Sequence, residues 1–332
     1  MWRTENVSSL ESLSPATPGE SQVLYTLIRD EMDVLFPTRP AAVRQMSLIA
    51  VRHLQGEGQR VLIRGPRGSS TGAFVRALVK VLDLPFVEID AGALAETNWS
   101  GSDLPFFLEQ LRSDLASRYS LFKAPALAER ACILVSHLDR ARLATAYGTA
   151  PNQEHRIGKQ AALAQLMQAG PIAVARGSGT GFVWDGNRAL IIATGEFRGL
   201  PPGFLSSSDL QSWGMLADLA DPIASAVLIS TDLPSASEVE WMLRARLGEM
   251  EMRFVQFGYR LEVEEQVIRY ISRVIADGQY GGGVEAGMSW IAAAAESALV
   301  GLLDRCARPG TVWVLARDDM SLPDPPRGVW RE

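Results

Sequence analysis

Val61-Leu62-Ile63-Arg64-Gly65-Pro66-Arg67-Gly68-Ser69-Ser70-Thr71-Gly72 decides how the rest of the chain is read. A short apolar run leads into a Gly-rich turn, and an amphipathic stretch from Ala73 to Leu82 follows. That is the outline of a phosphate-binding loop set between a strand and a helix. A working loop reads G-x-x-x-x-G-K-[ST], with the Lys on the β- and γ-phosphates and the hydroxyl on Mg²⁺. The frame opens correctly at Gly65, but the second Gly is Ser70, the Lys is Thr71 and the Ser/Thr is Gly72. Arg67 is the cation inside the loop. Contact with a phosphate and exposure to solvent both stand as readings of it.

The rest of the composition narrows the classes. At 332 residues the chain has room for two domains, or for one large domain with an appendage. Hydrophobic residues make up 47% and charged residues 21%, as in an ordinary globular protein. The net charge of −6 argues against a nucleic-acid binder, because phosphate neutralisation needs a basic face. No apolar run has the length of a membrane span. Glu and Ser stand where a signal peptide would have its apolar stretch, so the expected location is the cytoplasm, away from a membrane. Cys132 and Cys306 lie in apolar or helical contexts without a C-x-x-C partner and read as buried reduced thiols. With His53, His137 and His155 they form no recognised zinc spacing, so no metal is expected.

Outward from the loop, the chain alternates short apolar runs with helical patterns. The predicted strands are Val61–Arg64, Phe86–Asp90, Cys132–Val135, Leu190–Thr194 and Ala226–Ser230. Each is built on a short apolar run, as parallel strands covered on both faces are. Helices are predicted near Thr71, Leu104, Gly158 and Ser208, and two more precede the sheet, from Gln22 and beyond Pro40. This predicts a doubly wound α/β domain, a five-stranded parallel sheet with helices on both faces, over residues 21–233. Its ligand crevice belongs at the carboxyl ends of the strands. A smaller, mostly helical α+β domain is predicted over 234–318. It consists of a helical stripe from Val239 to Phe254, a strand Tyr259–Val263, a helix Gln266–Ala276, a long helix Met288–Cys306 and a closing strand Thr311–Ala316. Residues 1–20 read as a disordered leader, and the Pro-rich tail 319–332 as unstructured from Leu322.

In order and spacing these segments resemble one family, the AAA+ unfoldases of the Clp group, nearest to the ClpX and HslU type. Leu62 to Ser69 is similar to the family's strand and phosphate loop, and Leu84-Pro85-Phe86-Val87-Glu88-Ile89-Asp90 to its second strand. The stretch from Leu138-Asp139-Arg140 through Leu163, Gln165, Leu166 and Met167 to Gly170 follows the segment after its acidic motif. Ala189 to Leu200 is similar to its fourth strand and the turn beyond. The resemblance runs from about Glu31 to Asp318 and implies the AAA+ fold.

What it implies for activity is set by the departures. The family's acidic motif ends its strand with Asp-Glu, one carboxylate for Mg²⁺ and one for the attacking water. Here the two positions are Ser136 and His137, with the later Asp139 remaining acidic. The segment that supplies the family's intersubunit arginine reads Leu216 to Pro222 and holds no Arg. The small-domain Gly-Ala-Arg turn aligns with Gly283-Val284-Glu285, so Glu285 places a carboxylate where a cation would face the phosphates. Thr194 stands at the polar sensor position, and an ordinary strand-end hydroxyl explains it equally. These parts act as a unit in phosphoryl transfer, so the resemblance implies a pseudo-ATPase, with no obligatory cofactor and at most weak ATP or ADP binding.

Some features point to protein partners instead. The family's pore loop, Gly-Tyr-Val-Gly, aligns with Asn98-Trp99-Ser100-Gly101. Trp99 could contact an extended polypeptide or a partner subunit, or fold back onto its own domain. The Ile-Gly-Phe docking tripeptide has no counterpart between Gly199 and Trp213, so a ClpP-type protease is not an expected partner. No Cys precedes Cys132, so the zinc-binding N-terminal domain of ClpX is not expected either. Ala175–Gly181 reads as a second pore-facing loop or as a hairpin turn. The implied roles are a non-catalytic scaffold or regulatory subunit, self-associated or in a mixed AAA+ ring. A divergent ATP-driven unfoldase and a nucleotide-binding switch without hydrolysis are the alternatives.

Overall fold

The computed structural model describes residues 18–66, 68–94, 103–143, 153–176, 179–201, 203–233, 235–277, 283–304, 311–315 and 329–331. The chain divides into two compact units: the larger runs to Pro66 and again from Thr71 to Thr231, and the smaller takes in residues 68–70 of the glycine loop together with the chain from Asp232 onward.

The larger unit begins with helices α1 (Pro18–Leu35) and α2 (Pro40–Leu54). Both start on a proline, whose fixed φ and missing N–H suit a first helical position. The chain then runs β1 (Gln59–Arg64), α3 (Thr71–Leu82), β2 (Phe86–Asp90), α4 (Leu104–Arg118), α5 (Ala124–Ala128), β3 (Cys132–Ser136) and α6 (Gln153–Gln168). A hairpin follows, β4 (Pro171–Arg176) with β5 (Gly179–Asp185), and then β6 (Leu190–Gly195), α7 (Ser207–Trp213), α8 (Ala217–Ala224) and β7 (Val227–Ser230).

The main sheet has five strands in the order β2-β3-β6-β1-β7, and every neighbouring pair is parallel. The α/β class read from the sequence is therefore the observed one. Its three central strands are almost entirely buried, which explains their continuous apolar runs: Val61, Leu62 and Ile63 in β1, all of β3, and Leu190 to Ala193 in β6. β1 connects to β2 at one edge, whereas β6 connects to β7 at the other. The winding therefore reverses between the neighbours β1 and β6, and the ligand crevice of such a sheet lies outside their carboxyl ends.

One open reading is decided and three expectations need adjustment. Ala175–Gly181, read as a pore-facing loop or a hairpin turn, spans the end of β4 and the start of β5, which pair antiparallel as a hairpin with a register shift at Val174/Arg176. The hairpin is fixed by Trp184, which is fully buried and donates its indole N–H to the Ala128 carbonyl at 2.9 Å. Helix α6 begins at Gln153 rather than near Gly158. In the smaller unit, the long helix begins at Gly283 rather than Met288. Gly287 lies inside it because an added Cβ would sit 2.7 Å from Ile275 Cδ1, so this glycine marks close helix packing and no boundary. Finally, the Pro-rich end is not wholly without structure. Val329–Arg331 form a strand, β10, antiparallel to the strand Val312–Leu315.

The smaller unit comprises α9 (Ala236–Gln256), β8 (Arg260–Val263), α10 (Glu265–Ala276), α11 (Gly283–Asp304), β9 (Val312–Leu315) and β10, with the sheet order β10-β9-β8. Ser235 caps α9 by accepting the Glu238 N–H at 3.2 Å. Val267, Ile268, Ile271 and Ile275 give α10 one buried stripe, and Phe254 stacks on Trp313 with ring centroids 6.2 Å apart.

Candidate functional site

The carboxyl ends of β1, β3 and β6 bring the predicted nucleotide-facing segments of the larger unit together. The ladder pairs Ile63 with Thr194, Arg64 with Gly195, and Val135 with Ala193. Beyond β1, the Gly65 N–H donates to the Gly195 carbonyl at 3.2 Å, so the glycine loop leaves the sheet tied to the end of β6.

The loop keeps the backbone of a strand-to-helix turn. Gly68 has φ 94°, and Ser70 is also left-handed at φ 55°. Only glycine takes that conformation without strain, so Ser70 occupies, at some cost, a position where the motif has Gly. Ser69 is buried, and the Ser70 hydroxyl donates to the Gly68 carbonyl over 3.4 Å. Thr71, at the motif's lysine position, is the first residue of α3, and Gly72 is the second. An added Cβ on Gly72 would meet the guanidinium of Arg76 at 3.4 Å, and Arg76 is paired with Glu88 at 3.1 Å. Arg67 lies outside the described residues.

Arg64, the last residue of β1, carries a cation that the sequence reading passed over. Its guanidinium donates to the carbonyls of Leu200 at 2.7 Å, Phe197 at 3.3 Å and Pro201. Partial burial lowers its pKa from the usual arginine value. The charge thus holds down the loop after β6, in which Phe197 (φ 51°) and Gly199 (φ 91°) are both left-handed. Its sequence signal is slight: a cation ending an apolar strand is as often an ordinary solvated side chain.

After β3 the site holds one acid. Ser136 is buried, with its hydroxyl 3.5 Å from the Ile89 carbonyl. His137 is exposed and left-handed, at φ 56° and ψ 42°, and it opens a short 3-10 turn over Leu138–Ala141. Asp139 turns back over the end of β6: an added Cβ on Gly195 would lie 2.8 Å from its Oδ1 and 2.7 Å from the Phe197 ring. Gly195 therefore gives the carboxylate and the ring their space. Thr194 is buried, one step before it.

A buried amide fixes this turn against α7 and α8. Gln160 of α6 donates to the carbonyls of Ala141 at 2.9 Å and Gly214 at 3.0 Å, and its Oε1 accepts the Leu216 N–H at 2.6 Å. Trp213 donates to the Arg198 carbonyl at 2.8 Å, lies 5.5 Å from Phe197 and carries Arg142 over its ring at 4.6 Å. The segment Leu216–Pro222 forms most of α8 and ends at a proline inside the helix. The sequence did carry a signal for Gln160. It is a polar residue on the same helical face as Leu163, Ala164 and Met167, and a polar group among buried ones needs partners.

Glu285 has its backbone in the first turn of α11, in the smaller unit, and its side chain is outside the described residues. Trp99 is outside them as well. Among the described residues, no group of three or more His, Cys, Asp or Glu is placed to hold a metal ion. Nor is any helix long and apolar enough to cross a membrane. Cys132 is fully buried, and burial pushes its thiol pKa well up, so it is kept as the unreactive thiol.

No protein-family model matches the chain. Over 88 residues it is 28% identical to the ATP-dependent Clp protease ATP-binding subunit ClpX 2 of Wolinella succinogenes. The match covers 26% of this chain and spans about a fifth, 21%, of that protein's length. That likeness supports a distant relationship to the Clp-type AAA+ proteins, and the five-stranded parallel sheet is compatible with it.

Proposed function

We propose that this chain is a Clp-type AAA+ relative that does not hydrolyse ATP and acts as a protein-binding scaffold or regulatory subunit. One observation carries the reading. Where the ends of β1, β3 and β6 meet, Thr71 replaces the catalytic lysine, Ser136 and His137 replace the acidic pair, and Arg64 is spent on loop carbonyls. Phosphoryl transfer in P-loop enzymes is almost entirely positioning and charge stabilisation. A site with Asp139 and no metal-holding neighbour on β3 supplies neither. The protein partner, any ring it joins, alone or with other AAA+ chains, and its cytoplasmic setting are parts of the same proposal.

The direct test is steady-state ATP turnover by the full chain, alone and with candidate partner proteins. No turnover above background is the expected result. Turnover that Asp139→Asn or Arg67→Ala abolishes would sink the proposal.

The N-terminus of α3 favours a second reading, a nucleotide-binding switch without hydrolysis. A helix N-terminus of twelve residues behind a glycine turn still presents N–H groups suited to an anion. Calorimetric titration with ATP and ADP in Mg²⁺ separates the two. Heat saturating at millimolar nucleotide supports the switch, and its absence leaves the scaffold.

A further inference from the structure

We propose that the carboxyl edge of β2 and β3, with the start of α6, is a docking site for an acidic polypeptide segment. The proposal rests on the scaffold reading, to which it adds a place and a partner chemistry.

The cations come from two elements and meet at Gly92. Arg140, on the 3-10 turn after β3, runs its stem across this glycine: an added Cβ would sit 3.0 Å from Arg140 Cδ. Lys159 of α6 reaches the same residue from the other side and donates to its carbonyl at 2.9 Å. One turn earlier on that helix, Arg156 donates to the Arg142 carbonyl at 3.1 Å, and Arg142 itself lies over the Trp213 ring.

What these cations bond to is the informative part. Lys159 and Arg156 are held by backbone carbonyls, which fix a head group without neutralising it. The nearby carboxylate is Asp90, 3.7 Å from Arg140, with both side chains about half exposed and with one carboxylate oxygen already accepting the Gly92 N–H at 2.8 Å. Burial first of all lowers the Lys159 pKa; Arg156 adds to the lowering and Asp90 opposes it. Three cations from two elements, Arg140, Arg156 and Lys159, thus share this edge with the carboxylates of Asp90 and Asp139, on a chain whose net charge is −6. Cations so placed attract an incoming carboxylate, and donors already held in place lose little freedom on binding. Asp90 and Asp139 within the edge, and the acidic balance of the whole chain, disfavour a nucleic-acid backbone, which needs a broad basic face. Carboxylates spaced along a polypeptide can meet the separate cations and avoid those acids.

The test uses the full chain and fluorescence anisotropy with a labelled Glu-rich peptide. The comparisons are the same peptide with Gln for Glu and a single-stranded oligonucleotide of equal charge. The Glu peptide should bind, weaken as salt rises, and lose about tenfold or more in affinity with Arg140→Gln/Lys159→Gln. A control pair of exposed cations elsewhere, Arg52→Gln/Lys80→Gln, should leave binding unchanged. Gln at 159 keeps a donor for the Gly92 carbonyl. If the double variant nevertheless fails to fold, Arg156→Gln, at an exposed position, should show the same loss in smaller degree. Failure of the native chain to bind, equal binding of the Gln peptide, equal loss in the control pair, or tighter binding of the oligonucleotide would each overturn the site. ATP turnover is measured separately, so loss of this site and loss of the scaffold reading are distinguishable.

Discussion

Gly195 shows how a single residue can set the geometry of the site. Its missing Cβ is the space taken by Asp139 Oδ1 and by the buried Phe197 ring. Gly195→Ala should destabilise the chain by about 1–3 kcal/mol, because the ring cannot move without disturbing its packing on Trp213. A urea titration checks this, and no change in midpoint would show that the ring gives way freely. His53 makes a second prediction at this scale. It is buried at the end of α2, its Nε2 lies 3.0 Å from the Arg130 carbonyl, and burial first of all lowers its pKa to about 4. The unfolded chain, with a histidine near 6.5, binds the proton first. Stability from this group is therefore complete above about pH 6.5 and is lost as pH falls toward about 4. The whole loss is about 3 kcal/mol for the gap between those values. Denaturation midpoints against pH should show the decline over that window in the native chain and a flatter curve in His53→Leu.

At the scale of elements, the end of the sheet is held by the chain's own groups. Arg64 ties β1 to the loop after β6, and Gln160 ties the 3-10 turn after β3 to α7 and α8. Gln160→Leu keeps the volume but strips partners from the Leu216 N–H and the Ala141 carbonyl. It should cost about 2–4 kcal/mol, more than an exposed polar substitution would. Arg64→Met should speed amide exchange at Leu200, whose N–H donates to Phe197 at 3.1 Å inside the clamped loop, while leaving exchange in the core of β6 slow. Unchanged exchange at Leu200 would mean that the clamp is incidental. The elements themselves were largely legible, because each central strand is buried on both faces and so writes a continuous apolar run into the sequence. The β4–β5 hairpin was harder. Its strands are short, and Ile172, Val174 and Trp184 bury one side only, giving an alternation too brief to separate from a loop. The clamps were hardly legible, since Arg64 and Gln160 find their partners through contacts distant in sequence, and only the place of Gln160 on a buried helical face marked a group in need of them.

For the whole molecule, the strand order β2-β3-β6-β1-β7 matters more than any one motif. It places the carboxyl ends of β1, β3 and β6 side by side, so residues that are scattered in sequence fall at one place. The direction of the fold was readable because burial has a period, whereas what remains active at its edge was readable only as residue identities. Ser136 and His137 could be named as departures from an acidic motif. That Arg64 is occupied, and that Arg140 and Lys159 converge on Gly92, required the structure. The proposal that joins these observations is that the sheet end does not transfer phosphoryl groups. Phosphate release by the full chain under saturating MgATP measures this most directly. The expected rate equals the buffer background and does not change with Asp139→Asn; a steady turnover that Asp139→Asn abolishes would overturn the proposal.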